Sequence, residues 1–443
     1  MYKLSKYVYQ MENRKREHVL ANMYTGRIYK VSPDKKKAFM EGLNHPSEES
    51  KLQKFLIEEG VFLNEEEYNS GLRDKIHARF NNSNQELELI ILPTEQCNFR
   101  CSYCYEEYAK GAMSKEVQEG IINYVAKNID KYEKLRVSWF GGEPLCAKHV
   151  MNYLSDELKR ICREKRKPFT ANITTNAYNL DLETFKQMQR KNRITRYQIT
   201  IDGLKECHDS QRKLGNGQGS FDVIMKNLRD IRDYVKSSFF EINIRCNITK
   251  EVYEQFDEYV DLMEKEFGDD ERFNFIWRIA WPPNAEASKD MFCDNELLGK
   301  LILKYADRKI RLTADLANFN CMGGVCYAAN KDSFVIGSDG TVYKCTVAFK
   351  EDINHVGKLY PDGTMEIDRD KFKYWTERKE CMDIEKCESC NQYPTCLGIY
   401  CPRRSSNEQG EFVCNGYKIQ ETDAYLEYYS TINEIVKDVS ELI

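Results

Sequence analysis

The sequence predicts an α/β fold in which six strand–helix units form a barrel or an open partial barrel. A small unit precedes it and a cysteine-rich segment follows it. Three observations predict this. Short apolar strands alternate with amphipathic helical patterns between Leu87 and Ile279, as in a parallel sheet. Residues suited to chemistry stand at the C-terminal ends of those strands, where β/α folds carry their sites. The seventeen cysteines are also clustered: none precedes Cys97, three fall at Cys97, Cys101 and Cys104, nine lie between Cys321 and Cys414, and five are scattered between.

Composition bounds the rest. A chain of 443 residues suits two or three domains. Its cysteines are too sparse for a disulfide-stapled scaffold and too clustered for incidental core residues. Six histidines cannot supply many mixed Cys/His zinc sites, so sulfur-only ligation is the better expectation. Met1 to Leu20 carries Lys3, Lys6, Arg14, Lys15 and Arg16 without an apolar run, so no signal peptide is expected. No stretch approaches the ~18 apolar residues of a membrane span. The expectation is a cytoplasmic protein with reduced thiols that serve metal binding or catalysis. A net charge of −5 argues against a nucleic-acid partner.

Residues 1–84 read as a separate unit. Tyr7–Gln10 and Leu20–Tyr24 are short strands, and Tyr24–Val31 is a turn followed by a third. Ser32-Pro33-Asp34 predicts a helix start, and a second helix over Lys51–Glu59 stops at Gly60. Val61–Leu63 suits a wing strand. The polar run Asn81-Asn82-Ser83-Asn84 suits a linker.

Six strands then follow: Leu87–Leu92, Lys134–Phe140, Phe169–Thr175, Arg196–Ile201, Phe240–Arg245 and Phe273–Ile279. Ser114–Asn128 places Val117, Ile121, Ile122 and Val125 at helical spacing. Phe221–Val235 does the same with Val223, Ile224, Leu228 and Ile231. From about residue 310 the chain is rich in turns and cysteine.

The loop after the first of these strands is Cys97-Asn98-Phe99-Arg100-Cys101-Ser102-Tyr103-Cys104, a C-x3-C-x2-C pattern. Three thiolates at this spacing suit a [4Fe–4S] cluster with one iron left open for a small molecule. A zinc site completed by a distant fourth ligand is the alternative.

With Tyr103 just before its last cysteine, this loop resembles the signature of the radical S-adenosylmethionine superfamily. The resemblance implies that the open iron chelates S-adenosylmethionine and that Tyr103 lies against adenine. The cofactor would carry the bond cleavage, and the protein would bind, shield and present. Phe140-Gly141-Gly142-Glu143-Pro144 resembles the family's GGE motif, in which backbone groups or the Glu143 carboxylate hold the methionyl ammonium. Thr174-Thr175-Asn176 stands where the family has a polar strand end near the ribose. Thr200-Ile201-Asp202-Gly203 with His208-Asp209 and Arg212 resembles the maturase run S-x-D-G…H-D-x-x-R. This assigns Thr200 and Arg212 to ribose and carboxylate, a surface ion pair being the alternative for Arg212. His208 and Asp209 read as loop-fixing residues rather than an acid/base dyad.

The C-terminal array runs Cys321-x4-Cys326-x18-Cys345, then Cys387-x2-Cys390-x5-Cys396-x4-Cys401, then Cys414. Eight cysteines make two four-thiolate sites, for zinc or for clusters. With the upstream loop the array resembles the SPASM extension, which implies two auxiliary [4Fe–4S] clusters. Cys321, Cys326, Cys345 and Cys401 would hold one, and Cys387, Cys390, Cys396 and Cys414 the other. Four residues precede Cys401 where three are usual, and Cys381 is a spare thiol that can substitute.

Thr346 follows Cys345 where the sulfatase-maturing branch has an aspartate base, which counts against that reaction. The first 84 residues are similar in pattern and position to the winged-helix-like leader-recognition domain of ribosomal-peptide maturases, which takes a leader peptide as an added strand. The resemblance thus divides the chain into a recognition domain (1–84), a partial (β/α)6 radical SAM barrel (85–310) and a SPASM domain (311–443). It implies a thioether-forming maturase of the sactipeptide or ranthipeptide type. Its partners would be a cysteine-containing precursor peptide and an electron donor such as flavodoxin or ferredoxin. Enzymes making C–C or epimerised peptides fit the same motifs. No catalytic side chain is assigned beyond the cofactor's surroundings. Cys146, Cys162, Cys207, Cys246 and Cys293 read mostly as buried small hydrophobes, with Cys146 nearest the Gly-Gly-Glu-Pro turn.

Overall fold

Three antiparallel strands open the chain: β1 (Val8–Glu12), β2 (His18–Asn22) and β3 (Arg27–Val31). The computed structural model describes residues 2–46, 50–81, 85–108, 110–280, 296–312, 325–377, 387, 389–398, 401–404, 414, 417–432 and 435–443. Asn22 turns β2 into β3. Its Oδ1 accepts the Tyr24 and Thr25 amides, and its Nδ2 donates to the carbonyls of Glu59 and Gly60. Helices span Lys36–Asn44 and Lys51–Glu58; the second is capped by Ser50 and followed by Gly60 at φ +68°. The first begins later than Ser32-Pro33-Asp34 predicts. The Ser32 carbonyl instead accepts from Lys35 in a turn, and its amide donates to Ser440 Oγ. Phe62–Leu63 pairs with Lys3–Leu4 as a two-stranded wing.

The six core strands are β4 (Glu86–Ile91), β5 (Lys134–Trp139), β6 (Phe169–Thr175), β7 (Ile194–Thr200), β8 (Glu241–Ile248) and β9 (Phe273–Ile279). Each lies parallel to the next in chain order. Helices Lys115–Asn128, Lys148–Glu164, Leu182–Arg190, Phe221–Tyr234 and Phe256–Phe267 lie between them in sequence. Strand alternation sorts the side chains. Leu87, Leu89 and Ile91, Leu135, Val137 and Trp139, and Ile242, Ile244 and Cys246 are buried in the main core. Glu88, Ser138, Asn172, Thr174, Gln198, Thr200, Arg245 and Asn247 line a cavity on the other face.

The sheet does not end at β4. β10 (Ser333–Ile336) lies parallel to β4, and β11 (Thr341–Tyr343), β12 (His355–Leu359) and β13 (Met365–Ile367) extend it antiparallel. The predicted partial barrel is therefore the parallel part of an open, mixed ten-stranded sheet. The cysteine-rich segment grows from its edge. Helix Tyr417–Ile432 returns toward the N terminus, where Tyr9 OH donates to Asp423 and the Arg14 amide to Glu427. β14 (Val436–Asp438) then pairs parallel with β3, so residues near 440 complete the first sheet and pack Val439 into its core. Among the described residues no helix is long and apolar enough to cross a membrane.

Candidate active site

The cavity on the polar face of the sheet has a volume of about 590 Å³. Every residue that the resemblance assigned to the cofactor lines it: Tyr103, Gly141, Gly142, Glu143, Asn176, Thr200 and Arg212, with Cys97, Cys101 and Cys104.

The cysteine loop is held from below by the Gly-Gly-Glu turn. The amides of Gly142 and Glu143 donate to the carbonyls of Thr94 and Gln96. A Cβ on Gly141 would lie 2.4 Å from Thr94 O, and one on Gly142 2.4 Å from Gln96 O. Gly141 also sits at φ +109°. The protein's own backbone thus accounts for both glycines, a constraint the motif alone did not reveal.

Glu143 is buried at 1% exposure. Its Oε1 accepts Thr175 Oγ1 at 2.7 Å and the Leu145 amide at 2.9 Å, and its Oε2 accepts the Asn176 amide at 2.7 Å. This carboxylate clamps the end of β6 to the turn after β5. Burial pushes its pKa up against those three donors. Asn176 Nδ2 donates to Asn98 Oδ1 at 2.8 Å and approaches Cys97 Sγ at 3.8 Å, tying β6 to the cysteine loop.

A second tie comes from far along the chain. Phe99–Cys101 pairs antiparallel with Arg212–Leu214, with Cys101 opposite Arg212. Arg212 is buried, which excludes the surface ion pair. Its Nη1 donates to Tyr103 OH at 2.6 Å and stands 3.9 Å from Asp202 Oδ2, while its Nε has no hydrogen-bond partner. Tyr103 OH donates to Asp202, whose Oδ1 also accepts the Asn247 amide at 2.6 Å. His208 and Asp209 do fix the loop. His208 Nδ1 accepts the Asp202 amide and its Nε2 meets Ser220 Oγ, while Asp209 Oδ1 accepts the Ser220 and Phe221 amides. Burial, then the charge of Arg212, holds the His208 pKa well below the usual value, so the ring is neutral.

The C-terminal cysteines fall into two neighbourhoods. Burial raises the pKa of Cys326, Cys345 and Cys390, and neighbouring thiols add to it: Cys401 and Cys345 at Cys326, Cys401 at Cys345, and Cys414 at Cys390. Cys387 is buried and Cys396 half-buried. Cys321 and Cys381, like Cys293, lie outside the described residues. Asn354 holds Cys345 in place. Its Oδ1 accepts the Lys344 and Cys345 amides, and its Nδ2 donates to the Cys345 and Ala348 carbonyls. Nothing in the sequence pattern singled out Asn354. Thr346 and Val347 then reach the cavity, where Tyr327 OH lies 2.7 Å from Thr346 Oγ1.

Among the described residues, no three Cys, His, Asp or Glu side chains converge on a point that would hold a single ion. A cubane asks for something else. Each thiolate binds a different iron, so its ligands surround a cluster rather than one ion. The three thiols at the cavity wall and the orphaned Arg212 Nε beside them fit a cluster with an anionic ligand better than a mononuclear zinc site.

Sequence reading missed the polar wall of Glu88, Ser138, Asn172, Gln198, Arg245 and Asn247, whose signal is the alternation within otherwise apolar strands. It also missed Glu106, whose pKa rises to about 7 through burial and the Glu95 charge. Cys162, Cys207 and Cys246 are buried, and Cys146 is exposed outside the cavity lining.

The cysteine-type anaerobic sulfatase-maturating enzyme of Clostridium novyi (strain NT) is 24% identical over 343 residues, 70% of this chain and 87% of that protein. The solved structure of native anSMEcpe with bound AdoMet and Kp18Cys peptide superposes with a TM-score of 0.61 at 20% identity, over 81% of this chain and all of that one. Streptococcus suis SuiB bound to precursor peptide SuiA gives 0.54 at 15% identity, over 94% of this chain and 99% of that one. At such identities the structural likeness speaks for the fold. Residues 91–263 match the model of the radical SAM superfamily, and the chain thus carries a radical SAM domain.

Proposed function

We propose that this protein is a radical S-adenosylmethionine maturase that installs thioether crosslinks in a ribosomally made peptide. The observation that carries the reading is the single cavity. Cys97, Cys101 and Cys104 share it with Tyr103, Asn176, Thr200 and Arg212, and Thr346, next to Cys345, lines it as well. The three thiolates would hold the [4Fe–4S] cluster that binds S-adenosylmethionine. Arg212 would take the cofactor's carboxylate with its unpartnered Nε, Thr200 its ribose, and Tyr103 would lie against adenine. Bound there, the cofactor would supply the hydrogen abstraction from the acceptor residue, a peptide cysteine would bond to that carbon with loss of its proton and one electron, and the C-terminal cysteines would hold the group that accepts the electron. The 326/345/401 and 390/414 neighbourhoods suit two auxiliary clusters in a SPASM-type segment. Residues 1–84 would receive the precursor's leader, and a flavodoxin or ferredoxin would supply electrons.

Likeness to SuiB over 94% of the chain favours a precursor peptide as substrate. The sequence relative from Clostridium novyi favours a second reading, sulfatase maturation. Against it stands Thr346, whose hydroxyl is engaged with Tyr327 and has no carboxylate's basicity. Co-expression with short cysteine-containing peptides, followed by mass spectrometry, tests the choice. The proposal requires a loss of two hydrogens per crosslink and cysteines resistant to alkylation. An aldehyde in place of a cysteine thiol would establish sulfatase maturation instead.

A further inference from the structure

Arg245 stands in the cavity wall on β8, in register with Thr200 of β7. Its Nε donates to Asn247 Oδ1 at 2.8 Å. Among the described residues that is the guanidinium's one hydrogen bond, and it makes no ion pair. A guanidinium has five N–H donors, accepts nothing and stays charged, so one that lines the cavity with four donors unused offers a site for an anion.

Three acids nearby are already engaged, and Glu106, on the same cavity, makes no hydrogen bond or ion pair with Arg245. Asp202 accepts the Asn247 amide and Tyr103 OH and lies 3.9 Å from Arg212. Glu143 takes three donors of its own. Glu88 accepts Ser333 Oγ and lies 4.0 Å from Arg136. Arg278, two residues beyond Arg245's register partner Ile276, adds a second positive charge that repels Arg245.

We propose that Arg245, oriented by Asn247, anchors a carboxylate of the substrate, an acidic side chain close to the reacting residue. The inference rests on the proposed function, in which Arg212 takes the cofactor's carboxylate; one guanidinium per carboxylate leaves Arg245 for a second anion.

The test uses anaerobically reconstituted full-length protein and two capped hexapeptides. Each carries one cysteine, and they differ only in Asp against Asn. Wild type should bind the Asp peptide about tenfold or more tightly than the Asn peptide. Arg245→Gln should bind the two alike, and Arg245→Lys should keep part of the preference. Both variants should keep S-adenosylmethionine affinity within about twofold of wild type. Wild type showing no preference, or Arg245→Gln retaining one, overturns the inference. So does loss of S-adenosylmethionine affinity in Arg245→Gln, which would give Arg245 to the cofactor. A wild type that binds no S-adenosylmethionine overturns the underlying function instead.

Discussion

Arg212 donates to the Tyr103 hydroxyl at 2.6 Å, and that hydroxyl donates onward to Asp202, so residues 109 positions apart share one buried chain. Tyr103→Phe keeps the ring and removes both bonds. Asp202 loses a donor in a site where burial already disfavours its charge. The expected cost is about 1–3 kcal/mol in urea unfolding, with weakened S-adenosylmethionine binding. Unchanged stability would mean that the chain carries no energy.

Gly142→Ala places a methyl 2.4 Å from Gln96 O, at the root of the cysteine loop. Overpacking of this kind costs about 1–3 kcal/mol, and the displaced loop should retain less iron on reconstitution. Gly111→Ala is the control, since nothing lies within 4 Å of its added carbon. A Gly142→Ala variant as stable and iron-rich as Gly111→Ala would refute the clamp.

His208 is buried and neutral, its pKa depressed by burial and by Arg212. As pH falls below about 6.5, the unfolded chain binds a proton that the folded chain refuses. This contribution to stability is therefore full above that pH and lost below it. Protonation would also take Nδ1 from the Asp202 amide. Urea midpoints of wild type and His208→Gln should converge between pH 7.5 and 5.5. Parallel curves would show that another group sets the acid limb.

Removing residues 435–443 bares the edge of β3 and takes Val439, at 1% exposure, from the core beside it. Hydrogen exchange should quicken in β1–β3 while β4–β9 keep their protection. Uniform quickening would mean that the two sheets unfold as one unit.

Much of this was legible in the sequence. Phe169–Thr175 and Phe273–Ile279 form strands over the predicted ranges, because β-rich runs bounded by breaks leave little choice. The cysteine, Gly-Gly-Glu and Asn176 motifs do meet in one cavity, because parallel strands bring their C-terminal ends together. What stayed hidden is long-range pairing. Neither the Cys101–Arg212 ladder nor the return of Val436–Asp438 to β3 leaves a local pattern. The motif alone also did not reveal that three protein donors engage the Glu143 carboxylate.

Anaerobic reductive cleavage of S-adenosylmethionine measures the cavity's chemistry most directly. Reconstituted wild type, reduced with dithionite, should release 5′-deoxyadenosine. It should hold about twelve irons per chain, four for each of three cubanes. Replacing Cys97, Cys101 and Cys104 by alanine should abolish the cleavage and remove about four irons while leaving the C-terminal clusters. A colourless wild type that binds zinc and cleaves no S-adenosylmethionine would contradict the proposed chemistry.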